Sequence, residues 1–238
     1  FSELSVCGYP PRDFLEFEDF MQQTEKTIQE IAQHSHGIGI IVGAPTPNPQ
    51  PEGKNLLNSA LLLYNGNIQG IVSKSLLPNY DVFDEYRYFE PAYSWNCIEF
   101  MGKKLAITIC EDIWFDQPAL DARAAGADVL LNINGSPYHM GRDGQRRERV
   151  AAVAQATSLA IVYVNHVYGQ DELVFDGGSM AADARGIQHN SPVFTGSLDV
   201  IDLVKSDQGV QISRGTPRPV LEPLDEVYQA LKRGLKDY

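Results

Sequence analysis

The sequence predicts an α/β fold built on mixed sheet, and three observations carry that expectation. Short aliphatic and β-branched runs alternate with stretches of helical spacing, as β-α-β crossovers require. Asn65-Gly66 and Met101-Gly102 join pairs of runs directly, so antiparallel hairpins must coexist with the crossovers. A length of 238 residues with 43% hydrophobic content fits one large domain or two small ones around a sizeable core.

The elements follow in order. Residues 14–33 have helical spacing, although Phe17 and Phe20 make the apolar face uneven. Gly39-Ile40-Ile41-Val42-Gly43 is a strand, and a Pro/Asn loop spans 45–55. Strands at 59–64 and 68–73 flank Asn65-Gly66. A long polar-aromatic loop, 76–93, leads to strands at 97–100 and 104–109. Strands at 129–133 and 161–167 each follow a helical stretch, and Gly177-Gly178-Ser179 and Ala184-Arg185-Gly186 punctuate a later strand pair. Residues 206–223 turn polar and Pro/Gly-rich, which reads as a linker. The last helix begins at Pro223 and places Leu224, Val227, Tyr228, Leu231 and Leu235 on one face, a stripe that must pack on something.

Charge and cysteine usage narrow the function classes. Thirty-one acidic residues against 19 basic give a net charge of -12, which argues against nucleic acid or an anionic membrane as the main partner. Cys7, Cys97 and Cys110 are odd in number and widely spaced, so a disulfide framework or a Cys-x-x-Cys zinc site is not expected and a reducing compartment is. No apolar run reaches membrane-spanning length, and the reading is cytoplasmic. His34 and His36 are two apart and share no helical face, so no metal site is expected there.

Cys110 ends the run Leu105-Ala106-Ile107-Thr108-Ile109 and opens a polar turn, Cys110-Glu111-Asp112. A thiol there faces a cleft or packs in the core, and a following helix favours its ionisation. Lys74 closes another apolar run, and Glu3 sits among apolar neighbours. All three can lie at carboxyl ends of strands, where open α/β sheets place their sites. Taken singly, Lys74 is equally a solvated lysine and Glu3 a surface carboxylate. His139 and His166 lack a local pattern that would pair either with a thiol.

Three blocks carry a resemblance. Phe1-Ser2-Glu3-Leu4 with Gly8-Tyr9-Pro10, Lys74-Ser75-Leu76-Leu77-Pro78-Asn79-Tyr80, and Cys110-Glu111-Asp112-Ile113-Trp114 resemble, in order, the catalytic blocks of the nitrilase (carbon-nitrogen hydrolase) superfamily. The likeness runs to about Leu203 and takes in Asp176-Gly177-Gly178-Ser179. The 76–89 loop and Gln170-Asp171-Glu172-Leu173-Val174-Phe175 are most similar to one branch, the glutaminase domains of glutamine-dependent NAD(+) synthetases.

The resemblance implies a four-layer α-β-β-α sandwich of two mixed sheets. It implies a glutamine amidohydrolase domain over 1–205 whose first strand and helix precede Phe1, then a linker and helix, 206–238, leading to a synthetase domain. By the same likeness Cys110 is the nucleophile, Glu3 the proton shuttle, Lys74 the oxyanion's cation and Glu85 an acidic companion. Glu85 is also read as a loop charge among Asp81, Asp84 and Arg87. Tyr80, Glu111, Ser136 and Arg142 map onto contacts for the α-amino and α-carboxylate groups of glutamine; Arg142 is equally a solvated arginine near Arg146 and Arg147. No cofactor is implied in this domain, and ATP, Mg and deamido-NAD belong to the synthetase domain. Implied partners are glutamine, that domain or subunit, and further copies of the chain, as superfamily members commonly associate through helical faces. Rival readings are a stand-alone amidase or carbamoylase, an inactive scaffold, and a Cys-His hydrolase.

Overall fold

The structure is a computed structural model that describes residues 1–238 except Trp95 and Gln208. Helix α1 (Glu18–Gln33) packs on a three-stranded sheet of β1 (Ile40–Pro47), β2 (Leu56–Tyr64) and β3 (Asn67–Ser73). A six-stranded sheet combines β4 (Ile98–Phe100), β5 (Lys103–Ile109), β6 (Val129–Asn134), β7 (Ala160–Asn165), β10 (Met180–Asp183) and β11 (Gly186–Asn190), in the order β11-β10-β7-β6-β5-β4. Helices α2 (Asp116–Ala124) and α3 (Arg142–Thr157) cover its outer face.

Side-chain alternation creates the four layers. Ile28 and Ala32 of α1 meet Val42, Ala44, Leu61 and Leu63 on one face of the small sheet. Ala60 and Val72 on its other face meet Ile107, Ile109 and Ile133 of the large sheet. Ala106, Leu130 and Ile161 point outward instead, onto Ala119, Ala122, Val150 and Ala154. The α-β-β-α sandwich is therefore present. Only the large sheet is mixed; the small one is antiparallel throughout, because a loop and a hairpin, with no helical crossover, connect its strands.

Several boundaries differ from expectation. The helix expected over 14–33 is broken at Phe17, which is extended (φ −91°, ψ 120°) between a 3-10 turn, Arg12–Glu16, and α1. The 45–55 loop begins later, since β1 continues through Pro47 against Leu56 of β2. Two short strands, β8 (Val167–Gln170) and β9 (Leu173–Asp176), form a separate antiparallel pair. The polar stretch expected as a linker contains part of a hairpin, β12 (Asp202–Ser206) with β13 (Gly209–Arg214). Val210 of β13 is buried against Val129 and Ala160, and the Ile212 N–H donates to Asp183 Oδ2 at 2.9 Å. Gln208, inside that stretch, lies outside the described residues.

Helix α4 (Pro223–Asp237) docks on β8 and β9, with Gly234 against Gly169 and Val174 and the Gly169 N–H donating to Asp237 Oδ2 at 2.9 Å. Leu224, Tyr228, Leu231 and Leu235 of the expected stripe face outward and are exposed. Among the described residues no helix is long and apolar enough to cross a membrane.

Candidate active site

At one end of the sandwich the connectors that leave β3, β5 and β6 converge with the turn at residues 3–7. Lys74 follows β3 and Cys110 follows β5, as the run-end positions predict. Glu3 differs: it opens a turn laid across β1 and belongs to no described strand. That turn is held by Val6 N–H to Gly43 O at 3.1 Å and by the Phe1 ammonium to Ile41 O at 2.7 Å.

Six side chains meet in the interior. Lys74 is fully buried, and its Nζ donates to Glu3 Oε1 at 2.7 Å and to both Glu85 oxygens at 2.8 Å. Asn58 Nδ2 donates to the same Glu3 Oε1 at 2.7 Å, and the Gly135 N–H donates to Glu3 Oε2 at 2.8 Å. Tyr9 hydroxyl donates to Glu85 Oε1 at 2.8 Å. Cys110 is buried within electrostatic reach of Glu3, Lys74 and Glu85. Its φ of +44° is left-handed, a strained backbone for a residue with a side chain.

The charges follow from this geometry. Burial alone would discharge Lys74, but Glu3 and Glu85 outweigh it and hold the ammonium well above its ordinary value. Burial pushes the Cys110 thiol well up, Glu3 adds to the rise and Lys74 opposes it, so the resting group is a neutral thiol. This corrects the expectation of easier ionisation. The turn after Cys110 is a five-residue 3-10 segment, Cys110–Trp114, and dehydration with two nearby carboxylates dominates the sulfur. Any attack by this sulfur must therefore be assisted by a base.

Burial also raises the Glu85 carboxyl to about 7, against the pull of Lys74. Unfolded, this group releases its proton near 4.5; folded, near 7. The neutral carboxyl's contribution to stability is thus full below pH 4.5 and is lost as pH rises through 7. Glu85→Gln has no such titration. Urea unfolding should show wild type losing stability relative to Glu85→Gln between pH 4.5 and 7, and a constant difference would refute the assignment.

The expected substrate contacts are only partly assembled. Tyr80 hydroxyl donates to the Glu111 carboxylate at 2.9 and 3.1 Å, at an exposed rim beside Cys110. Arg142 lies within electrostatic reach of Tyr80 but rests on the Trp114 ring, 4.5 Å from its centroid, and donates to Gln145. Ser136 is buried next to Gly135, and its hydroxyl accepts from Arg146 Nε at 3.2 Å. The arginine that reaches Ser136 is thus Arg146, itself clamped by Asp176 at 2.7 and 2.8 Å.

His166 is buried, accepts from Ser2 Oγ at 2.8 Å and donates Nε2–H to Glu3 O at 2.7 Å. Burial lowers it to about 4, so it braces the Glu3 backbone as a neutral ring and does not serve as a base. Sequence reasoning missed Asn58, Tyr9, Asp112 and the Arg146–Asp176 pair. Asn58 was detectable only through inward parity with Ala60 on β2.

Comparisons with known proteins give the family and the fold. Residues 1–190 match the carbon-nitrogen hydrolase family. A glutamine-dependent NAD(+) synthetase of Synechocystis sp. is 36% identical over 252 residues, covering 99% of this chain and 45% of that protein. One from Xylella fastidiosa is 37% identical over 100% of this chain and 44% of its own length. The solved glutamine-dependent NAD+ synthetase from Acinetobacter baumannii superposes with a TM-score of 0.91 at 32% identity, over 100% of this chain and 44% of that one. A carbon-nitrogen hydrolase from Helicobacter pylori G27, 18% identical, shares the fold with a TM-score of 0.68 over 80% of this chain and 72% of its own. The chain spans less than half the length of the synthetases it matches. Fold, buried cluster and sequence match together place the chain in the carbon-nitrogen hydrolase family.

Proposed function

We propose that the chain is a glutamine amidohydrolase that frees ammonia for an NAD(+)-forming synthetase domain. The observation that carries this reading is the buried Glu3–Lys74–Glu85 cluster beside a neutral Cys110 on a strained turn. The synthetase relatives favour glutamine over other amides.

Glu3 takes the Cys110 proton as sulfur attacks the side-chain amide carbon of glutamine. Lys74, locked as an ammonium, and the Glu111 N–H stabilise the oxyanion. Glu3 passes the proton to the departing nitrogen, and ammonia leaves a thioester. Water, deprotonated by Glu3, cleaves that thioester to glutamate and returns the thiol. Asn58 and the Gly135 N–H keep the Glu3 oxygens aimed through both halves. Tyr80, Glu111, Ser136 and Arg142 hold the glutamine head group, with Arg142 leaving Trp114 to meet the α-carboxylate. This half-reaction needs no cofactor; ATP, Mg and deamido-NAD belong to the synthetase part, to which residues 206–238 lead.

Ammonia and glutamate release from glutamine tests the proposal. Wild type should turn over, Cys110→Ala should be silent, and Glu3→Gln should lose at least ~10²-fold, the scale of one general base. Full activity in Glu3→Gln would instead support a Cys-His hydrolase. Turnover of other amides with none of glutamine would support a stand-alone amidase.

A further inference from the structure

One buried carboxylate ties the lysine-bearing connector to the thiol-bearing one. Asp112 is 1% exposed and sits two residues beyond Cys110. Its Oδ2 accepts the Ile109 N–H at 2.9 Å, immediately before the strained Cys110. Its Oδ1 accepts the Leu76 N–H at 2.9 Å and the Ser75 N–H at 3.2 Å, immediately after Lys74. All three donors are backbone groups, so the carboxylate sets chain path and not merely side-chain packing. The other backbone restraints on Lys74, its N–H to Asn58 O and its carbonyl from the Ala92 N–H, both 2.8 Å, do not reach the thiol connector.

We infer that Asp112 is a positioning residue that sets the separation of the Lys74 ammonium and the Cys110 sulfur by bridging their connectors. The inference rests on reading Cys110 as nucleophile and Lys74 as its oxyanion partner. A carboxylate is required because both oxygens must accept. Asparagine has the same shape, but its amide nitrogen turns a donor toward either Ile109 or the Ser75–Leu76 pair, and one end of the bridge opens. Burial raises Asp112 to about 6 against the pull of these N–H groups, so the bridging form prevails at neutral pH.

The test is Asp112→Asn, with glutamine kinetics and the rate at which iodoacetamide alkylates Cys110. The expected result is a ~10²-fold fall in kcat, the scale of an ~1 Å misplacement. KM should stay within ~3-fold, because the head-group contacts remain, and alkylation should slow several-fold. If Asp112→Asn does not fold, replacing Leu76 by its α-hydroxy acid removes one N–H and leaves every side chain intact. That ester should lower kcat ~10-fold with KM unchanged. A lower melting temperature with wild-type kcat and wild-type alkylation in the folded variant would overturn the inference. Alkylation needs no amide substrate, so it decides the matter even if the wild-type chain fails to hydrolyse glutamine.

Discussion

Replacing Lys74 with methionine should cut kcat for glutamine hydrolysis by ~10²–10³, the scale of one lost oxyanion donor. The same change should destabilise the fold by about 3–5 kcal/mol, the usual consequence of removing one partner from a buried ion pair. Methionine fills much of the lysine stem's volume, so the loss isolates the charge. Glu3 and Glu85 each lie within 2.8 Å of the ammonium and, among the described residues, share no other cation at that distance. Without it, two dehydrated carboxylates face one another, and one must take up a proton. A carboxylate whose pKa is raised on folding loses stability as pH rises through that value. The penalty measured by urea unfolding should therefore be larger at pH 8 than at pH 5. Retention of more than a tenth of wild-type kcat would remove Lys74 from the mechanism.

Gly43→Ala should be nearly as damaging, although Gly43 carries no chemistry. It lies mid-strand in β1, opposite Ala60. The Glu3 turn crosses directly over it: a methyl built there would sit 2.3 Å from Leu4 N, 2.6 Å from Ser2 O and 2.7 Å from Glu3 C. These are backbone atoms, so the turn must lift, drawing Glu3 away from Lys74, Asn58 and the Gly135 N–H. A shift of about 1 Å costs ~10²-fold in kcat, and overpacking costs ~1–3 kcal/mol in stability. Gly144→Ala is the control. Its methyl meets nothing within 4 Å on α3, so kcat should hold and stability should rise by ~0.5–1 kcal/mol. Equal kcat for Gly43→Ala and wild type would show that the turn's height over β1 does not set the Glu3 geometry.

The legible part of the site is the part that repeats a local pattern. Lys74 and Cys110 end apolar runs, and a strand end is visible in the sequence because alternation and β-branching stop there. Both hairpins were readable for a similar reason. Asn65 and Gly66 have φ of +50° and +80°, and Met101 and Gly102 have +50° and +71°, which few residue pairs accept without strain. The 209–214 strand was hidden because its hydrophobic content is two residues, Val210 and Ile212, between polar neighbours. The inward half of β2 was hidden too. Asn58 looks like any polar residue at a strand start until β2 pairs with β3 and turns it toward Glu3.

By itself the sequence determined the α/β alternation, the hairpins, the absence of a strong positive field, and the order in which Glu3, Lys74 and Cys110 occur. These depend on periodicity, turn chemistry and composition, which act over a few residues. Only the tertiary structure decided that Cys110 rests as a thiol, and that Asn58, Tyr9 and Asp112 support the cluster in which Lys74 keeps the charge expected of it. It also showed Arg142 on Trp114, with Arg146 at Ser136. The physical reason is that protonation states and hydrogen-bond partners depend on burial and on charges a few ångströms away. Folding brings the hydrogen-bond partners around Glu3 together from positions up to 164 residues apart in the chain.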